Sequence, residues 1–304
     1  MTVSWTLEQV TGPSGSVLAT RHWPAGGRRK LASVLIVHGL GEHSGRYDHV
    51  ARRLAAKGID VHGFDLRGFG ASGGRRASVR RWSDYHDDVE ARLLHVRDLA
   101  RGRPVVLYGH SMGGLVALGY VLADRPKPDL LVLTAPALDS DVPPWKRALA
   151  RVLSGVAPRL QIRNGFDGSV LSRDPAVGAA YRADPLNYGR TTTRLGDEAM
   201  REQERVRASL GRLVVPTLVL HGGGDTLVPA SASEPLAGLP GVTRVVYDGL
   251  RHEVHNEPEW ESVLGDIVAW LREHLPATVP KVPRARRSKI EEEPNIASGE
   301  RSAR

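Results

Sequence analysis

The chain has 304 residues, 41% hydrophobic and 25% charged, the balance of a soluble globular protein that can bury a sizeable core. It contains no cysteine, which excludes disulfides, thiolate catalysis and cysteine-ligated metal sites. The net charge of +8 raises nucleic acid as a partner, but the basic residues fall in short clusters (Arg28-Arg29-Lys30, Arg75-Arg76, Arg80-Arg81) and in a terminal tail with few aromatics between them, so no nucleic-acid partner is expected.

Residues 3–23 alternate around Gly12-Pro13-Ser14-Gly15, which predicts a hairpin. The run Leu31–Val37 is continuously apolar, as in a strand buried on both faces, and ends in His38-Gly39-Leu40-Gly41. A helix over about 47–56 stops at Gly58, and a strand over Ile59–Phe64 runs into the glycine-dense turn Asp65–Gly74. A long amphipathic helix over about 82–99 carries Asp84, Asp87 and Asp88 in its early turns, where the helix dipole favours acids. A strand over Pro104–Tyr108 leads into Gly109-His110-Ser111-Met112-Gly113, a helix to about Ala123, and a buried strand at Leu130–Leu133. Strands and helices thus alternate, which predicts a parallel sheet covered by helices on both faces.

From about Ala137 to Arg194 no strand run appears, only prolines and one basic amphipathic helix. The alternation resumes with a strand at Pro216–Leu220, a helix near Ser231–Ala237, a strand at Val242–Tyr247 and a last helix over about 258–275. The expected organisation is one α/β domain made of residues 1–136 and 195–275, an inserted cap over 137–194, and a disordered charged tail over 276–304. No stretch is long and apolar enough to span a bilayer, and residues 1–10 lack the charged and apolar regions of a secretory signal. A cytoplasmic protein is expected, with peripheral membrane association through the cap as a variant of it.

Gly-x-Ser-x-Gly between a strand and a helix predicts a nucleophile elbow, in which Ser111 stands at the top of the sheet with a helix N-terminus behind it. A serine hydroxyl needs a base, and the base needs an orienting acid. In such a fold the chain order is serine, acid, histidine, each past a strand end. Asp225, after the strand ending at Leu220, is the expected acid, although an aspartate there also suits a turn or helix cap. His252 and His255 compete as base after the strand ending at Tyr247; His252 comes first in the loop and is assigned, and His255 is taken as structural. His252-Glu253-Val254-His255 lacks zinc-protease spacing and a third ligand, so neither a metal nor a cofactor is expected. The N–H groups of Leu40 and Met112 are the expected donors to an oxyanion.

The strings His38–Tyr47, Asp65–Gly74, Gly109–Gly114, His221–Pro229 and His252–Glu257 resemble monoacylglycerol lipases of the α/β-hydrolase superfamily, over about 3–275. Carried over by position, the resemblance gives Ser111, Asp225 and His252 as triad and Leu40 and Met112 as oxyanion donors, the same positions. It implies an α/β-hydrolase fold with a helical lid and hydrolysis of a monoacylglycerol or similar lipid ester. A lysophospholipase or broad carboxylesterase on the same fold is the alternative, and a non-catalytic lipid-binding protein a remote one. Within the cap, Trp145, Ala148, Leu149, Val152, Leu153 and Val156 form one apolar stripe. The expectation is a lid helix whose stripe, with Trp145, Leu149, Val152 and Leu153 as substrate contacts, covers an acyl-chain tunnel. The three glycines before Asp225 suggest a mobile loop.

Overall fold

The computed structural model describes residues 6–27, 30–139, 142–165 and 168–275. The Arg28-Arg29 cluster and the tail after 275 therefore lie outside the described residues. The chain begins with β1 (Thr6–Thr11) and β2 (Val17–Trp23), an antiparallel hairpin. It continues through β3 (Ala32–Val37), α1 (Asp48–Ala55), β4 (Ile59–Phe64), α2 (Ser83–Ala100), β5 (Val105–His110), α3 (Met112–Leu122) and β6 (Leu130–Thr134). The cap follows as α4 (Pro144–Val156), β7 (Gln161–Arg163), α5 (Pro175–Ala183), β8 (Arg190–Thr192) and α6 (Thr193–Ser209). The core closes with β9 (Thr217–Gly222), β10 (Val242–Tyr247) and α7 (Trp260–His274).

Eight strands form one sheet in the order β1-β2-β4-β3-β5-β6-β9-β10. The pairs β1–β2 and β2–β4 are antiparallel, and every other pair is parallel. Successive side chains on a strand point to opposite faces. Leu35, Val37, Val105 and Leu107 accordingly join the helices α2 and α3 in one apolar layer, while Val34, Ile36, Val106 and Tyr108 join α1 and α7 in the other. Burial on both faces explains why these strands read as unbroken apolar runs. All of them end on the same edge, where the loops after β3, β5, β9 and β10 meet. The predicted α/β-hydrolase architecture is the one observed.

The cap differs from expectation in three ways. It holds a two-stranded antiparallel ribbon, β7–β8, where no strand was expected; three-residue strands are too short to give a periodic signal. It also contains the seventeen-residue α6, a helix that the sequence pattern does not announce. This helix begins at a Thr192 cap that accepts the Leu195 N–H, and it packs on both α4 and α3, so it straddles the expected boundary at residue 194. Its buried side includes Asp197, Glu202 and Gln203 beside Leu195 and Val206. The buried polar groups hide the apolar stripe; they are satisfied by Arg201, by Arg205 and by the Ala137 carbonyl.

The third difference is the direction of the α4 stripe. Trp145, Leu149, Val152 and Val156 are 64, 49, 60 and 76% exposed. The helix turns this face to solvent and offers Lys146 and Ala150 to the cavity beneath. None of Trp145, Leu149, Val152 and Leu153 lines that cavity. An amphipathic pattern tells which residues share a face, but what the face meets depends on the neighbouring elements.

Candidate active site

Ser111 joins β5 to α3 with φ 51° and ψ −118°, a strained backbone conformation for a residue with a Cβ. The turn is possible because its neighbours have no side chain. A Cβ on Gly113 would collide with the carbonyl oxygens of Val37 and His38, and one on Gly109 would lie 2.5 Å from the Gly113 oxygen. These contacts let α3 approach β3 and β5 closely. The Ser111 carbonyl accepts hydrogen bonds from Leu115 and Ala137 N–H, while its own N–H bonds the Thr134 carbonyl at 3.0 Å. The elbow is thereby fixed on both sides, and Ser111 remains at the wall of a cavity.

Asp225 lies in the turn after β9. Its Oδ1 accepts the N–H groups of Leu227 and Val228 at 2.8 and 2.9 Å, and its Oδ2 lies 2.7 Å from His252 Nδ1. Burial alone would raise the pKa of this carboxyl. The hydrogen bonds from His221 and His252, the His252 charge and the Val228 N–H outweigh burial and hold it well below the usual carboxylate range. His252 lines the same cavity as Ser111. His255 does not reach Asp225; it is buried, with its ring stacked 5.0 Å from that of Tyr47. Of the two histidines, His252 is the one that contacts Asp225. His110 packs 4.9 Å from the His252 ring, and burial followed by the His252 charge lowers its pKa to about 3, so it adds no charge to the site.

The glycine-rich approach to Asp225 proves to be a close-packed joint instead of a mobile loop. Gly223 N–H donates to the Tyr247 carbonyl at 2.7 Å and Gly224 N–H to the Leu250 carbonyl at 2.8 Å. A Cβ on Gly222 would collide with the backbone oxygens of Leu250 and Arg251. The missing side chains bring the aspartate loop against the histidine loop.

The loop after β3 carries Leu40. Gly39 N–H is committed to Glu42 Oε1 at 2.6 Å, which leaves Leu40 as the N–H next along the loop, beside Met112 at the start of α3. Both residues line the cavity. Glu42 also accepts from Tyr47 Oη at 2.7 Å and from Arg46 at 2.5 Å. The cap holds the same loop from above. Gly41, at φ 73°, has its carbonyl bonded by Tyr188 N–H at 2.9 Å and Tyr181 Oη at 3.2 Å, and His43 pairs with Asp184 at 2.8 Å.

A family described as "serine aminopeptidase, S33" matches residues 28–259, more than half of the chain. A monoacylglycerol lipase of Mycolicibacterium smegmatis is 36% identical over 80% of this chain and 88% of its own. The chain belongs to this family of serine hydrolases. A human monoglyceride lipase is 35% identical over 87% of this chain and 90% of its own length. The crystal structure of a monoacylglycerol lipase from Paleococcus ferrophilus superposes with a TM-score of 0.77 at 32% identity, covering 84% of this chain and 99% of that one.

The monoacylglycerol lipase family string His38–Tyr47 contains residues to which sequence reasoning gave no role. Arg46 bonds Glu253 through two nitrogens at 2.5 and 2.7 Å while also bonding Glu42. It thus ties the loop of Leu40 to the residue after His252. The Arg46 charge, against the effect of burial, holds the Glu253 carboxyl well below its ordinary range. The signal for this joint was the Glu42–Arg46 pair within one string. The Glu253 partner, 207 residues away from Arg46, could be seen only in three dimensions.

The cavity occupies about 600 Å³. One part of its wall is apolar, with Leu115, Leu195, Ala199 and Met200; another part is polar, with Glu42, Arg46, Asn164 and Tyr181. Among the described residues no helix is long and apolar enough to cross a membrane.

Proposed function

We propose that this protein is a serine ester hydrolase that cleaves monoacylglycerols into fatty acid and glycerol, with Ser111 as nucleophile, His252 as general base and Asp225 as its orienting acid. The observation that carries the reading is the 2.7 Å Asp225–His252 contact at the wall of a cavity shared with Ser111. Asp225 fixes the proton on His252 Nδ1 and leaves Nε2 to take the Ser111 proton as Oγ attacks the ester carbonyl. The oxyanion is received by the N–H groups of Leu40 and Met112. His252 returns the proton to the departing glycerol, and water, activated by the same base, then hydrolyses the acyl-enzyme. The apolar wall suits the acyl chain and the polar wall the glycerol.

An aminopeptidase reading, which the family description invites, needs a carboxylate free to meet the substrate's α-ammonium. Each lining carboxylate is already paired: Glu42 and Glu253 with Arg46, and Asp139 with Arg147 and Arg207. Parallel assays on a long-chain monoacylglycerol, a lysophospholipid, a p-nitrophenyl ester and an aminoacyl amide are expected to rank the monoacylglycerol first and the amide at least tenfold lower. A lysophospholipid or amide turned over faster than the monoacylglycerol would overturn the substrate assignment.

We further propose that the exposed α4 stripe rests on the lipid surface that supplies the substrate. Four large apolar side chains on one solvent-facing helix side form the kind of patch that marks an interaction surface. The double substitution Trp145→Glu with Leu149→Glu is expected to lower co-sedimentation with phospholipid vesicles and hydrolysis of vesicle-borne monoacylglycerol by about tenfold. Hydrolysis of a short soluble ester should stay within about twofold of wild type. Equal losses on both substrates would place the stripe in the chemistry instead.

A further inference from the structure

Asp225 has a second histidine. His221, the penultimate residue of β9, is fully buried, and its Nε2 lies 2.9 Å from the Val228 carbonyl and 3.4 Å from Asp225 Oδ2. Its Nδ1 lies 2.9 Å from Ser233 Oγ. The surroundings decide where the imidazole proton resides. A carbonyl oxygen can only accept, so Nε2 carries a hydrogen. Ser233 has one hydroxyl proton and two acceptors in reach, His221 Nδ1 and the Ala230 carbonyl at 3.0 Å. Arg244, on β10, already supplies that carbonyl through Nη2 at 2.7 Å and donates to Ser233 Oγ through Nε at 3.0 Å. Nε2 therefore presents its hydrogen to the Val228 carbonyl and the Asp225 carboxylate, while Ser233, itself held by Arg244, anchors the Nδ1 side of the ring.

We infer that His221 is a positioning residue of the hydrolytic centre, whose Nε2–H, shared between the Val228 carbonyl and Asp225 Oδ2, clamps the Asp225–Val228 turn and holds the carboxylate in register with His252. This rests on the proposed triad. The geometry fits the role from both ends. The turn is closed internally by the two N–H bonds to Oδ1, and His221 closes its far end through Val228; the carboxylate cannot rotate without breaking its bonds from Leu227 N–H, Val228 N–H and His252 Nδ1. The longer, secondary contact to Oδ2 adds a donor to the same oxygen that receives His252 Nδ1. His221 therefore moderates how strongly Asp225 draws the His252 proton. The line Arg244–Ser233–His221–Asp225 carries this support from the edge strand of the sheet to the base.

The test compares His221→Met, which keeps the bulk and removes the donor, with His221→Gln, whose amide nitrogen can stand where Nε2 stands. Both are made in the full-length chain and assayed on a p-nitrophenyl ester for kcat, KM, the acid limb of kcat/KM, and Tm. His252 faces Asp225, His110 and Glu253, the last neutralised by Arg46, and these groups are the same in every variant. Loss of the donor leaves Asp225 a stronger acceptor, so the acid limb of His221→Met is expected to move to higher pH. Its kcat should fall by about 10- to 100-fold with KM within about twofold, on the scale of losing one buried charge-assisted hydrogen bond. His221→Gln should recover most of kcat and return the limb. A limb that coincides with wild type in His221→Met, or a His221→Gln as slow as His221→Met, would reduce His221 to core packing and overturn the inference. If His221→Met does not fold, His221→Leu, which also removes the donor, takes its place, with the same limb shift expected and an unmoved limb overturning the clamp. Asp225→Asn, run alongside, separates the two readings: full activity there sinks the triad itself, whereas a large loss there with an unmoved His221 series sinks only the clamp.

Discussion

Ser111→Ala is expected to lose on the order of 10⁶ in turnover while keeping the wild-type Tm and fold. That factor corresponds to about 8 kcal/mol of transition-state stabilisation. The loss should be this large because, among the described residues, the other lining hydroxyls are engaged elsewhere, Thr191 with Asn164 and Tyr181 with the Gly41 carbonyl. His110, beside Ser111, is buried and bonded to Thr134, and the lining carboxylates are held by arginines. The fold should survive because Ser111 is tied through its backbone, to Leu115, Ala137 and Thr134, and not through its side chain. Alanine at φ 51° carries the same strain as serine. The measurement is ester hydrolysis together with covalent labelling by a fluorophosphonate, which should label the wild type stoichiometrically and the variant not at all. Residual hydrolysis within tenfold of wild type would place the nucleophile elsewhere and remove the proposed mechanism. A protein that bound the ester and never turned it over, even as wild type, would instead match the non-catalytic reading.

Asp225→Asn is expected to lower kcat by about 10⁴ with little change in KM. An asparagine can fill the same space, but its amide can present a donor to His252 Nδ1. The proton then moves to Nε2, and the base faces Ser111 already protonated. The remaining activity reflects the Leu40 and Met112 donors and binding in the cavity. The carboxylate also contributes to stability, with a sign that follows from its depressed pKa. The contribution is fully present above the ordinary aspartate value of about 4 and is lost as pH falls through the lower folded-state value. The pH dependence of wild-type Tm near neutrality should therefore owe nothing to this group, and the gap in Tm between wild type and Asp225→Asn should narrow only on strong acidification. A kcat for Asp225→Asn within tenfold of wild type would assign the orienting role to another residue.

What could be read before any coordinates were those features whose cause is local. Leu31–Val37 and Val105–Tyr108 read as buried strands because both of their faces are covered, and their alternating side chains divide between two apolar layers. Gly109 and Gly113 announced the elbow because a helix packed this close to two strands leaves no room for a Cβ. Chain order placed Asp225 and His252 past successive strand ends, since a parallel sheet brings all such ends to one edge. The same local reading misjudged Gly222-Gly223-Gly224. Glycine permits mobility and permits close approach, and the carbonyls of Leu250 and Arg251 show that here it serves the second.

The cap is where local reasoning ended. Its helix α4 was visible, but a stripe of Trp145, Leu149, Val152 and Val156 has the same periodicity whether it meets a core or solvent. Only the packing of α4 on α6 settles that it faces outward. α6 itself escaped because it buries Asp197, Glu202 and Gln203, whose partners come from elsewhere on the helix and from the Ala137 carbonyl. The sequence by itself determined the sheet, the turn at Ser111, the placing of Asp225 and His252 past successive strand ends, and the family. Tertiary structure decided which histidine meets Asp225, that Arg46 joins Glu42 to Glu253, and which face of the cap looks at the cavity. The division has one physical reason: a strand or a tight turn is dictated by neighbours a few residues away, whereas a pairing across 207 residues, or the outlook of an amphipathic face, depends on what the rest of the chain places opposite it.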